Sequence, residues 1–497
     1  MTRLSDLTSS LRLLLPLCFL VTATAVGAQD RTSGDVYFLQ EALAEDGVSM
    51  KAIRSKIHPE LLAQLELDAE TEAKGGEAAA THSIVVSLRS DKQRRARLLA
   101  QKSTMALTAL QQEVRDTQDR ILGAVATKSR QGFAVRNRYK TLAGFSAYAD
   151  LRAVAALALQ KDVASVELMP VFESRALLDG NADETTDMRF AHAFPASGAG
   201  VTIAVIDSGI DYTHSRLGGG SFPNTKVIGG YDFGDNDADP RIDCNGDQHG
   251  TATAFIAAGD GGVAPGAKLV HLKVQSSSRC GTLTFDGDVE AALDWAITNQ
   301  ATYGIDIVSM SFGAGAYASE CPMGRSYWQS LANAHAAGLL LVAASGNDGY
   351  KDKMNAPACH PDVMSVGAVY DRKFTKDHSW FTAAGSCKDK KPSRYQVACY
   401  SNSASFLDVL GPATCAKVAK AGGGIKDCFG GTSAAAPFVA GVAALALGIN
   451  PALTHDNLRL LLSSVGHPTT DPANGLYDVV VNGNLAVHGA IWWPPYW

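Results

Sequence analysis

Four residues able to share one piece of acyl-transfer chemistry stand at the ends of strand-like or the starts of helix-like stretches. Gly430-Gly431-Thr432-Ser433 brings a serine up to an apolar run, Ala434 to Leu447, with no charge before Asp456. Such a run predicts a helix buried on every side. Ser433 would then sit at its N-terminus, beside unsatisfied N–H groups and the positive dipole end. A capping serine on a core helix reads the same way. Pro437 is expected near the first turn, where a missing N–H costs little. Asp207-Ser208-Gly209 closes the run Val201–Ile206, Gln248-His249-Gly250-Thr251 opens a helical stretch, and Ser345-Gly346-Asn347-Asp348-Gly349 closes Leu339–Ala344. Singly, each is a turn or a structural residue. Together they supply a nucleophile, a base, an orienting carboxylate and an amide donor. No Gly-x-Ser-x-Gly elbow surrounds any serine, which argues against an esterase or lipase.

The elements that must hold these residues are legible from residue 201 onward. Val201–Ile206, Lys268–Val274, Ile305–Met310, Leu339–Ala344 and Val363–Val369 are apolar, β-branched runs separated by helical stretches. That pattern predicts an α/β fold, a parallel sheet covered by helices on both faces. Sites in such sheets lie just beyond the C-terminal strand ends.

The 497 residues exceed one compact domain. Net charge is −5 over residues 1–81, +7 over 82–173 and −8 over 174–497. A basic middle segment suits nucleic acid, or the two unlike pieces bind each other. Arg3 and Arg12 precede an apolar stretch, Leu13–Val21, and small residues ending at Ala28, so residues 1–28 read as a signal peptide and the mature protein as exported, with no membrane span left. Its removal leaves eight cysteines, all beyond residue 240 and none in a Cys-x-x-Cys. Disulfides are expected, and loop-closure entropy favours sequence neighbours: 244–280, 321–359, 387–399 and 415–428. The acidic turn Asp232, Asp235, Asp237, Asp239, Asp243 is either a solvated loop or a structural Ca²⁺ site.

Residues 29–81 read as a helical or partly disordered leader. Residues 82–173 alternate as strand Ser83–Leu88, a helix from Asp91 to Leu122, strand Tyr139–Ala147, a helix over Leu151–Leu159 and strand Val163–Leu168, a small α+β module.

The chain order Asp207…His249…Ser433 is that of subtilisin, and the surrounding residues resemble the subtilase family. Ala204-Val205-Ile206-Asp207-Ser208-Gly209, His249-Gly250-Thr251 and Gly431-Thr432-Ser433-Ala434-Ala435-Ala436-Pro437 resemble its three motifs, over roughly 187–490. Residues 82–173 resemble its inhibitor-like propeptide. Ala252-Thr253 and Ala434 depart from the residues common there. The resemblance implies a secreted serine endopeptidase, with Ser433 as nucleophile, His249 as base, Asp207 as its orienter and Asn347 as oxyanion donor. It implies that Ser311, Phe312 and Gly313 pair with peptide substrate, that no cofactor or nucleic acid takes part, and that the propeptide inhibits until self-processing between Glu173 and Met188. A catalytically silent binding protein on the same scaffold remains the alternative.

Overall fold

The computed structural model describes residues 51, 54–74, 81–90, 94, 104–126, 132–140, 143–168, 173–174, 196–280, 287–321 and 326–491. The signal segment 1–28, the leader as far as residue 50 and the processing interval beyond Ser174 lie outside the described residues.

Helix α1 (Pro59–Ala73) precedes an antiparallel sheet of β1 (His82–Leu88), β2 (Phe133–Arg138), β3 (Gly144–Ala149) and β4 (Val163–Leu168), ordered β2-β3-β1-β4. Helices α2 (Thr104–Ala126) and α3 (Leu151–Ala158) complete it. Asp150 caps α3 by accepting from the Ala153 N–H. Of the strand expected over Tyr139–Ala147, the part found as strand among the described residues begins at Gly144. The Tyr139 carbonyl leaves the ladder to accept from Gln118 Nε2 at 2.8 Å, and β3 begins at Gly144. β2 was hidden by its charged Arg136 and Arg138, which an edge strand tolerates. Part of the leader joins this unit: Ile57 bridges Val166, and the His58 N–H donates to the Val166 carbonyl at 2.9 Å. A hydrogen bond joins His82 Nε2 and Asp68 Oδ2 between β1 and α1.

A two-residue strand, β5 (Glu173–Ser174), leads to the second unit. Its core is a nine-stranded sheet of β6 (Thr202–Asp207), β7 (Val227–Asp232), β8 (Lys268–Lys273), β9 (Ile305–Met310), β11 (Leu340–Ala344), β13 (Val363–Val369), β16 (Val409–Pro412), β19 (Gly466–Thr470) and β20 (Tyr477–Val481). The order is β19-β20-β16-β13-β11-β9-β6-β8-β7, parallel except for β19. Successive β6 residues feed opposite faces. Ile203 and Val205 join the core under α4 (His249–Ala258), α7 (Thr432–Ile449), α8 (His455–Ser464) and α9 (Gly483–Ile491). Ala204 and Ile206 join the core under α5 (Asp288–Tyr303) and α6 (Ser326–Ala336), to which the N-terminal sheet also packs. This is the α/β fold expected. The smaller β10 (Phe312–Tyr317) and β12 (Met354–Ala356) pair with each other, and β14 (His378–Thr382) with β15 (Gly385–Asp389). A further hairpin, β17 (Ala416–Ala419) and β18 (Ile425–Phe429), leads into α7.

α7 is long and apolar enough to cross a bilayer, contrary to the expectation that no such span follows the signal segment. Yet 83% of it is buried within the fold, as a core helix is. Disulfides join Cys244–Cys280, Cys321–Cys359, Cys387–Cys399 and Cys415–Cys428, the four neighbour pairs expected.

Candidate active site

β6 ends in Asp207, and α4 starts at His249 against the same turn. A side chain at Gly250 would meet the Gly209 carbonyl oxygen at 2.3 Å, so only glycine lets the helix start come this close. His249 Nδ1 and Asp207 Oδ1 are 2.7 Å apart, both groups buried. Asp207 Oδ1 also accepts from the Ser208 N–H at 2.7 Å, and its second oxygen accepts from the Thr253 hydroxyl at 3.1 Å. Burial alone would raise the Asp207 carboxyl, but the His249 ring and the Ser208 N–H outweigh it and hold it below the ordinary value. Burial likewise works against a charged His249, and Asp207 overrides it to raise the ring. The carboxylate thus fixes Nδ1–H as donor and leaves Nε2 as acceptor. His249 Nε2 is buried with no hydrogen-bond partner. Phe429 holds the other side of the ring edge-on, centroids 5.5 Å apart.

Ser433 is the second residue of α7, whose entry at Gly431 has φ 82°. Its hydroxyl donates to the Ser311 carbonyl at 3.0 Å, and the Ser311 hydroxyl donates to the Ser433 carbonyl at 3.1 Å. Pro437 lies deeper than expected, a full turn inside the helix. Lacking an N–H, it leaves the Ser433 carbonyl without its i+4 donor, and Ser311 supplies one. The Ser433 hydroxyl and His249 Nε2 are therefore not bonded to each other.

Asn347 leaves the end of β11 and accepts through Oδ1 from the Thr432 N–H and hydroxyl, at 2.9 and 3.0 Å. Asn402, which nothing in the sequence singled out, pins that loop. Its Oδ1 accepts from the Asp348 and Tyr350 N–H groups, and its Nδ2 donates to the Ser345 carbonyl. Thr253 is likewise a missed member; its i+4 spacing from His249 on one helix face was the available signal. Phe312 and Gly313 lie on β10, where Ser174 and Glu173 pair with them antiparallel.

The acidic turn is assembled differently from expectation. Asp232, Asp235 and Asp243 converge on the ammonium of Lys273, at 2.5, 3.1 and 3.1 Å, and Lys273 is wholly buried. Asp239 instead accepts from the Tyr212 hydroxyl, and Asp237 from the Asp239 N–H. One oxygen from each of these three carboxylates lies within 4.8 Å of the others.

Over residues 198–473 the chain matches the model of the peptidase S8, or subtilase, family. The chain belongs to the subtilase family. It is 30% identical over 346 residues to subtilisin E of Bacillus subtilis (strain 168), covering 68% of this chain and 78% of that one. It is 34% identical over 271 residues to alkaline serine exoprotease A of Vibrio alginolyticus, covering 54% of this chain and 42% of that one. Fervidolysin from Fervidobacterium pennivorans, a keratinolytic enzyme related to subtilisin, shares the fold with a TM-score of 0.56 over 82% of this chain and 60% of its own, at 20% identity. This subtilase is a serine endopeptidase, a hydrolase of peptide bonds.

Proposed function

We propose that the chain is an exported endopeptidase made as a precursor, and that Ser433 cuts it free of its own N-terminal module. Ser433 attacks the scissile carbonyl while His249 Nε2 takes its proton and later returns it to the leaving amine. Asp207 holds the imidazole tautomer and stabilises the imidazolium. Asn347 and the Ser433 N–H donate to the oxyanion, and water then hydrolyses the acyl-enzyme. No step calls for a cofactor. Protein or peptide substrate adds to Ser311, Phe312 and Gly313 as a strand, held by backbone hydrogen bonds that tolerate many sequences. Residues 1–28 and the four disulfides support export.

One observation carries the precursor reading. The chain following the N-terminal module lies in the place of substrate, with Ser174 opposite Phe312 and Glu173 opposite Gly313. The ladder runs toward Ser311, whose carbonyl holds the Ser433 hydroxyl. Self-cleavage is accordingly expected in the residues that follow Ser174, within the interval ending at Met188. Intact-mass measurement tests this in a host lacking other proteases. The wild-type chain should separate there, and Ser433→Ala should keep residues 29–173 attached. Normal trimming of Ser433→Ala would refute self-processing.

A further inference from the structure

At the end of the sheet away from Ser433, two histidines distant in sequence meet. His335 lies in the last turn of α6, and His455 is the first residue of α8, just after its cap Thr454. Their rings meet edge-on, with centroids 4.3 Å apart. Asp456 places Oδ1 3.6 Å from His335 Nε2 and 3.6 Å from His455 Nε2. The three ligand atoms all lie within 4.8 Å of one another.

A separation of 3.6 Å is too long for a hydrogen bond. It matches two donors sharing one ion: at about 2.1 Å from a tetrahedral metal, neighbouring ligand atoms stand about 3.4 Å apart. One carboxylate oxygen is thus spaced for coordination from both imidazoles at once. The Asp362 carboxylate, just before β13, stands 3.9 Å from His335 Nε2. The His335, His455 and Asp456 side chains are 25%, 20% and 69% exposed, so an ion can enter from water.

We propose that His335, His455 and Asp456 bind a divalent transition-metal ion of the zinc class. Two imidazole nitrogens and one carboxylate suit such an ion, whereas calcium and magnesium take oxygen ligands. The bound ion clips the C-terminal end of α6 to the N-terminal end of α8. α6 feeds directly into β11, which begins beside this site and ends at the loop holding Asn347. The ion therefore acts on the stability of the sheet and its covering helices, with no part in peptide-bond hydrolysis.

Zn²⁺ alone is the probe. The full chain carrying Ser433→Ala, prepared without a histidine tag and stripped by chelator, is titrated with ZnCl₂ by calorimetry and followed by thermal denaturation. One saturable site and a Tm that rises with zinc are expected. His335→Gln and His455→Gln, checked for folding by circular dichroism, should each weaken binding at least about tenfold and flatten the Tm response. Unchanged affinity in both variants, or no saturation by about 1 mM zinc, a concentration well above that of a structural zinc site, would overturn the proposal. Should the variants fail to fold, diethyl pyrocarbonate modification of the unsubstituted chain decides. Zinc should shield His335 and His455; equal modification of both with and without zinc would overturn the site.

Discussion

The Asn347 side chain is locked to the residue before the serine: its Oδ1 accepts from both the Thr432 N–H and the Thr432 hydroxyl. Two donors on one oxygen decide which end of the amide is oxygen and which is the donor. In the proposed mechanism that donor serves the substrate chiefly once its carbonyl becomes an anion, so its loss would lower turnover more than binding. Asn347→Leu should reduce kcat by about 10²–10³-fold with little change in KM; that magnitude comes from subtilisin itself, a member of this family. Steady-state kinetics on a peptide substrate, with circular dichroism as a folding check, measures it.

Thr253 supplies the hydrogen bond to the Asp207 oxygen that His249 does not use. Thr253→Val keeps the shape and leaves one lone-pair site of a buried carboxylate unfilled. A hydrogen bond to a charged group contributes about 1.5–3 kcal/mol, so kcat/KM should fall by roughly tenfold or more. A folded variant with wild-type kcat/KM would make Thr253 a packing residue only.

The N-terminal module grips α5 through its acidic first turns. Arg136 donates to both oxygens of Asp288, at 2.9 and 2.5 Å, and the Lys140 N–H donates to Asp294 at 2.6 Å. Asp288 is buried, so Arg136→Ala would remove two charge-assisted hydrogen bonds to a buried carboxylate, at a cost of about 3–5 kcal/mol. Inhibition of the mature enzyme by the separated 82–173 segment should weaken by about 10²–10³-fold. Because +7 meets −8, the wild-type on-rate should also fall with added salt.

Glu290 lies in the same contact with no hydrogen-bond partner on another residue. It faces Asp288, Glu167 and Tyr139, none of which offers it a positive charge. Burial pushes its carboxyl up to about 8; its own N–H opposes this, and Asp288 and Glu167 add to it. Separation of the module should return it toward 4.5. Because the raised value belongs to the complex, the grip is full below about pH 4.5 and is lost as pH rises through 8. The inhibition constant should weaken at least about tenfold between pH 6 and 9, and Glu290→Gln should flatten that dependence. An identical slope in the variant would clear Glu290 of the role.

The sequence carried the central strands because Val201–Ile206, Ile305–Met310 and Val363–Val369 are buried on both faces and therefore apolar throughout. β7 and β16 escaped notice because glycine interrupts them, and packing explains why. A Cβ at Gly230 would meet the His271 carbonyl at 2.3 Å, and one at Gly411 would meet Ala435 at 2.9 Å. Asp207, His249 and Ser433 were legible as candidates through their turns and helix starts. Their supports were not: Asn402 and Thr253 are ordinary polar residues until folding sets them against Asn347 and Asp207. Lys273 was the plainest loss, since a strand lysine reads as solvated and here is wholly buried among three carboxylates.

The central claim is that His249 activates Ser433, and a fluorophosphonate probe tests it in one step. Such a probe reacts with a serine hydroxyl made nucleophilic by a neighbouring base. In the processed wild-type enzyme, tandem mass spectrometry should place the adduct on Ser433. Folded His249→Ala, which retains the serine and loses the base, should remain unlabelled under the same conditions. No adduct on Ser433 in the wild type, or equal labelling of His249→Ala, would contradict the account.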